Sequence, residues 1–184
     1  MSLKFDPSYA LEFDFGRGQV RMANAGERVV VPCDALLALC QGASDEAVRD
    51  FGRRLGTEAG RTMNDRLGQA YQASLETVVE HLGGELSLMG LGSLGLERWG
   101  RALVLSFTHS PFGAAGDRLL GSVLEGAMQR SFGRDVVAIK LVRDADQVRF
   151  LIAGHDGAHK ANGWLAEGVP WGDVLSRLVQ GGVS

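Results

Sequence analysis

The sequence predicts an α/β domain of the α+β kind, an antiparallel sheet of about four strands packed with several helices and preceded by an N-terminal β-hairpin. Three observations carry that expectation. Apolar and polar residues alternate near the start of the chain and again after residue 100, the period of a half-buried strand. Elsewhere apolar residues recur every three or four positions, the period of an amphipathic helix. The alternating stretches also come in pairs joined by short polar turns, which reads as hairpins.

The first hairpin sets Leu11, Phe13 and Phe15 against Glu12 and Asp14, turns at Gly16-Arg17-Gly18 and returns through Val20 and Met22. A second apolar run, Val29-Val30-Val31, ends at Pro32, after which Asp34 can cap a short helix over 35–41 that Gly42 terminates. Ser44 followed by Asp45 and Glu46 is a capping residue with first-turn acids, placed at the positive end of a helix dipole. The long helix they announce carries an apolar stripe of Val48, Phe51, Leu55, Ala59, Met63 and Leu67. Its other side holds acid-to-base pairs such as Asp45 with Arg49 and Asp50 with Arg54, each worth only ~0.2–0.5 kcal/mol, the signature of a solvated face.

A further helix is expected over about 72–82, with Leu75, Val78, Val79 and Leu82 inward and Gly83-Gly84 as its stop. Residues 85–108 then read as two strands, the second alternating Leu103, Leu105 and Phe107 with Val104, Ser106 and Thr108. A helix at about 116–132 presents Leu119, Leu120, Val123, Leu124, Ala127 and Met128 and should lie across the sheet. Asp135 to Val142 and Gln147 to Ala153 form the last hairpin around Arg143-Asp144-Ala145-Asp146. Apolar residues on both sides of that hairpin, Val137, Ile139 and Leu141 against Val136 and Ala138, call for a sheet covered on both faces. Residues 1–154 thus read as one domain, the polar, glycine-rich 155–163 as a linker, and 164–184 as an amphipathic tail helix in which Pro170 occupies a tolerated first-turn position.

Composition narrows the class of function. With 184 residues, 45% of them hydrophobic, the chain can build one sizeable core. Its 19 basic and 22 acidic residues argue against a nucleic-acid binder. No apolar run approaches the ~18 residues of a membrane span, so a cytoplasmic protein is expected. Cys33 and Cys40 would stand about 10 Å apart on one helical face, beyond disulfide reach, and are expected to be free, buried thiols. Without a Cys-x-x-Cys pair there is no ligand set for structural zinc.

Motifs with chemical potential lose force in context. Gly90-Leu-Gly92-Ser-Leu-Gly95 spells a dinucleotide fingerprint, but a strand follows it where a helix is required. Ser93 lacks the Gly-x-Ser-x-Gly spacing of a nucleophile elbow. His155 and His159 are four apart, yet Gly154, Gly157 and Gly163 argue against a firm helix there and no third ligand is evident. His109, at the end of an apolar strand, has no placed partner and reads as a pocket-mouth or sheet-edge residue. The sequence therefore offers no catalytic set, no metal site and no cofactor.

What remains is shape. Gly52, Gly56 and Gly60 recur every fourth residue along the long helix although each costs ~1 kcal/mol relative to alanine. Such a ridge serves close approach of a second backbone, from the same chain or from a twin subunit in a homodimer. Trp99, Phe107, His109, Phe112, Leu120, Leu124 and Met128 are the candidate lining of an apolar ligand cavity, and plain core is their alternative use. Trp164, Trp171, Leu175 and Leu178 form the apolar side of the tail, suited to covering the domain or engaging a protein partner.

The run from Ser110 to Val142, with Val148-Arg-Phe-Leu-Ile152 after it, resembles the 4-vinyl reductase domain and the Bet-type TRAPP vesicle-tethering subunits. The marks are a helix bearing Gly121 and Gly126, the Phe132-Gly133 exit, the Val136-Val137 strand and the Arg149-Phe150 closing strand, within roughly 95–154. The resemblance implies a small-molecule-binding or dimerising scaffold with an apolar cavity between helices and sheet. It departs from the vinyl-reductase type in having no cysteine after Cys40. The expected function is a non-enzymatic, dimerising scaffold or small-molecule-binding module acting through protein contacts. The alternative is a sensor or enzyme handling a lipid or tetrapyrrole.

Overall fold

The computed structural model describes residues 5–8, 11–22, 26–68 and 73–181. Strands β1 (Leu11–Asp14), β2 (Gln19–Met22) and β3 (Gly26–Arg28) form a small antiparallel sheet in the order β1-β2-β3. Helices α1 (Cys33–Gly42), α2 (Asp45–Leu67) and α3 (Leu75–Leu88) follow, then β4 (Ser93–Trp99) and β5 (Ala102–Thr108). After a 3-10 turn at Gly113–Gly116 come α4 (Asp117–Phe132), β6 (Val137–Arg143), β7 (Gln147–Ala153), α5 (His155–Ala166) and α6 (Trp171–Gly181). The main sheet is antiparallel throughout, in the order β4-β5-β7-β6.

Alternation along the strands divides this sheet between two cores. Leu105, Phe107, Val148, Phe150 and Ile152 face α2, α3 and α4 and pack with Leu82, Leu86, Leu120 and Leu124. Val104, Ile139, Leu141 and Leu151 face the other way and pack with Ala158, Ala161, Val174 and Leu175 of α5 and α6. Full burial of each large side chain in these cores stabilises the fold by ~1.5–3 kcal/mol. The result is a three-layer domain, and the apolar residues on both sides of the last hairpin follow from it.

Segment 155–163, expected as a linker, lies within α5. Gly154 is the N-cap in extended backbone, and Ala158 and Ala161, one turn apart, are buried against the sheet. That burial outweighs the weak propensity of Gly157 and Gly163. Helices α5 and α6 are correspondingly part of the domain and cover its outer sheet face.

Helix α3 runs through Gly83-Gly84 instead of stopping there, so the first strand of the pair begins at Ser93 and not near residue 85. A Cβ at Gly83 would lie 3.2 Å from the Leu94 side chain, so this glycine lets β4 approach the helix. Ser44 caps α2 as its sequence context predicts, accepting the Ala47 N–H at 3.2 Å, and Ser74 does the same for α3 through Thr77. The expected helix start near residue 72 lies outside the described residues. Cys33 and Cys40 are free, as expected, but half-buried and not buried, because no residue of α1 is enclosed.

The glycine ridge is occupied within the chain. A Cβ at Gly56 would come within 1.9 Å of the Val123 carbonyl oxygen, and Gly52 and Gly60 press on Ser122 and Ala127 of the same helix α4. Gly126 answers from α4, where a Cβ would meet the Arg53 carbonyl oxygen at 2.1 Å. Gly52, Gly56 and Gly60 are thus unavailable as a dimer interface, because two backbones of one chain already fill that space.

Candidate functional site

Helix α4 ends at Gly133, whose left-handed backbone (φ 64°) accommodates a tight exit and lets its N–H donate to the Gln129 carbonyl at 2.9 Å. The chain then runs through Arg134, Asp135 and Val136 into β6. Between this exit, the start of α3 and the ends of β5 and β7 lies a cleft of about 830 Å³. Leu75, Leu103, Met128, Phe132, Val136 and Ile152 make its apolar walls, and Arg134 and Asp135 are its charged residues. Met128 and Phe132 reach it together because they are one helical turn apart; Leu103 and Ile152 do so because they are direct cross-strand partners. Asp135 is held by His155 at the start of α5, Nε2 to Oδ2 3.0 Å. That hydrogen bond draws the Asp135 carboxyl below its ordinary range, so the carboxylate persists into mild acid.

A second cleft, about 720 Å³, opens between α1, α2, α4 and β6 and differs in character. Its carboxylates are ion-paired across elements. Glu125, buried on α4, accepts two bonds from Arg49 (3.1 and 3.2 Å), one from Arg53 (3.0 Å) and one from the Ala138 backbone N–H (3.3 Å). Asp117 accepts from Lys140 at 3.3 Å and from Arg143 Nε at 2.7 Å. These bonds tie α2, α4 and β6 together. An apolar molecule is better matched by the first cleft, whose walls are the less polar of the two.

A third polar cluster lies between α2 and α3. Glu85 is fully buried and ion-paired to Arg66, Nε to Oε1 2.7 Å, with an edge-on ring contact between Phe5 and His81 (centroids 6.0 Å apart) made from the same helix. Burial raises the Glu85 carboxyl above its ordinary range in spite of Arg66.

Of the residues expected to line a cavity, Met128 alone reaches a cleft of those described above. Phe107, Phe112, Leu120 and Leu124 are enclosed in the inner core, where neighbouring side chains of the sheet and helices cover them. Trp99 stands on the opposite side at the β4–β5 turn, edge-on to Trp171 at 5.1 Å. His109 closes β5 with a positive φ of 56° and donates its backbone N–H to Asp146 at 3.2 Å, a turn role. Trp164, Trp171, Leu175 and Leu178 pack on the outer core, so their apolar sides are already engaged within the chain. Arg149 and Arg177 lie over the Trp171 and Trp164 rings at 5.8 and 5.6 Å.

Gly90 and Gly92 adopt positive φ in the turn entering β4, where a Cβ at Gly92 would strike the Thr108 carbonyl oxygen at 2.7 Å. These glycines serve strand pairing. His155 and His159 do share a helix, contrary to the linker expectation, yet no cluster of three metal-ligating side chains occurs among the described residues. Sequence reasoning missed Leu75, Leu103, Phe132, Val136 and Ile152 as cleft residues. Each reads locally as an ordinary core position, and only the gap left beyond the end of α4 distinguishes them.

Among the described residues no helix is long and apolar enough to cross a membrane. No protein-family model matches the sequence, and no curated protein does. Among solved structures, the chain is similar to the phenol-responsive sensory domain of the transcription activator PoxR, crystallised with phenol. The two share 12% identity, with 94% of this chain and 92% of that one covered and a TM-score of 0.59. The fold of this chain is thus the α+β fold of that sensory domain.

Proposed function

We propose that this chain is a non-enzymatic sensory module that holds a small apolar molecule, phenol-like in size, in the cleft beyond the end of α4. The observation that carries the reading is the cleft: about 830 Å³ with mainly hydrocarbon walls and a few charged groups, in a fold shared with a phenol-responsive domain. Asp135, held by His155, offers an acceptor to a ligand hydroxyl at the edge of those walls. The buried carboxylates support a binding role over catalysis. Glu125, Asp117 and Glu85 each face a guanidinium and hold elements together.

The resemblance to the 4-vinyl reductase and TRAPP-like superfamily belongs to the same reading, since residues 95–154 supply most of the cleft. Ligand occupancy would be passed on through protein contacts of a homodimer, in a cytoplasmic setting.

Thermal melts and calorimetric titration with phenol, 1-naphthol and cyclohexanol test the proposal. Wild type should bind at least one of them and melt higher in its presence; Val136→Trp, which fills a half-buried wall of the cleft, should fold and lose the binding. Absence of binding by all three, or equal binding by the folded variant, would overturn it.

A further inference from the structure

The described residues contain nine large hydrophobic side chains that stand exposed, and eight of them fall between residues 11 and 51. Six belong to one stretch: Leu11, Phe13 and Phe15 on the first hairpin, and Val29, Val30 and Val31 just after β3. Phe15 is 91% exposed, Val29 84% and Val30 75%. Phe13 and Phe15 stack on one another, centroids 6.1 Å apart, and so present a single aromatic surface. Scattered exposed apolar residues need no explanation, but a concentration of this kind marks an interaction surface.

The small sheet itself points the same way. Strand β1 is exposed along its whole length, and the outer edges of β1 and β3 have no strand partner among the described residues. Its ties to the domain include the Arg28–Glu58 ion pair at 2.8 Å. A short three-stranded sheet needs a covered apolar face to persist in water.

We infer that this N-terminal surface is where two copies of the chain meet. Two observations favour a second copy as the occupant. The six side chains expose on the order of 700 Å², against the ~800 Å² that each partner contributes to a standard stable interface. Residues 11–31 also carry three acids, Glu12, Asp14 and Glu27, and three bases, Arg17, Arg21 and Arg28, so like surfaces meet without net repulsion although the chain as a whole carries −3. The inference deepens the dimeric part of the proposed function by naming its surface, and its test does not involve the cleft.

Sedimentation of the full chain between about 1 and 100 µM is the test, beside Phe15→Glu and Val30→Glu. Both positions are exposed within one copy, so the folded monomer should tolerate the changes, which circular dichroism melts check. Wild type should sediment at twice the 19.7 kDa chain mass and each variant should dissociate at least tenfold more readily. Hydrogen exchange adds a readout free of substitution: protection over 11–31 should rise with wild-type concentration. A wild-type monomer across the range would overturn the inference, and flotation with anionic vesicles would then reassign the patch to lipid. A dimer that persists in both variants would overturn it too, by placing the interface elsewhere. A wild type that dimerises but binds none of the three test molecules would sink the cleft proposal alone.

Discussion

Gly56 and Val123 meet backbone to backbone: a Cβ on Gly56 would sit 1.9 Å from the Val123 carbonyl oxygen, a separation no side chain can occupy. Gly126 makes the reciprocal contact with Arg53 one turn along. Helices α2 and α4 therefore pack at the closest distance their main chains permit, and the ~1 kcal/mol helix penalty of each glycine is offset by that contact.

Alanine at Gly56 should destabilise the fold by about 3 kcal/mol or more, since backbone must move and the helix-propensity gain is only ~1 kcal/mol. Gly163→Ala is the control. It lies on α5 with open space around it and should gain up to ~1 kcal/mol. Urea denaturation of the two variants should move the midpoint in opposite directions.

Glu125→Ala should cost about 2 kcal/mol. Removing the carboxylate leaves Arg49, Arg53 and the Ala138 N–H without their shared acceptor, yet both guanidiniums are partly exposed and can rehydrate, which keeps the loss below the full 3–5 kcal/mol of a buried pair. Glu125→Gln, which keeps an acceptor oxygen, should lose less in the same denaturation series.

Glu85 makes stability pH-dependent with a definite sign. Its folded carboxyl binds a proton more tightly than the unfolded one, so its contribution is most favourable below the ordinary carboxylate range and is lost as pH rises through the raised folded value. Glu85→Gln, which cannot ionise, should therefore gain stability relative to wild type as pH is raised from about 4 to 7. Melting temperatures of both proteins across that window would show it; a constant difference would contradict the assignment.

Leu175 is almost fully buried beneath α6 against Val104 and its neighbours. Leu175→Ala should cost ~2–4 kcal/mol, the ordinary range for a core leucine. If α6 were a detachable tail, the midpoint of chemical unfolding would hardly move.

Much of the fold is legible in the sequence where the period is long and the end signals agree. Ser44 with Asp45 and Glu46 marks the start of α2, Phe132-Gly133 marks the end of α4, and the alternation through Leu103, Leu105 and Phe107 marks β5. Helix α5 was illegible because three glycines lower its local propensity, and it exists through Ala158 and Ala161 pressed on a sheet built from residues far away in the chain. The cleft was illegible for a related reason. Phe107 and Ile152 have the same character in the sequence, and only their distance from the end of α4 puts one in packed core and the other at open space.

Local chemistry in the sequence by itself determined the order and period of most elements, the caps, and the two apolar faces of the last hairpin, because these depend on residues within a few positions of one another. Tertiary structure alone decided that the glycine ridge serves α4, that the C-terminal helices cover the sheet, and that space remains beside Met128 while none remains beside Leu124. Those outcomes depend on how closely separate surfaces fit, a quantity that no periodicity within one segment encodes.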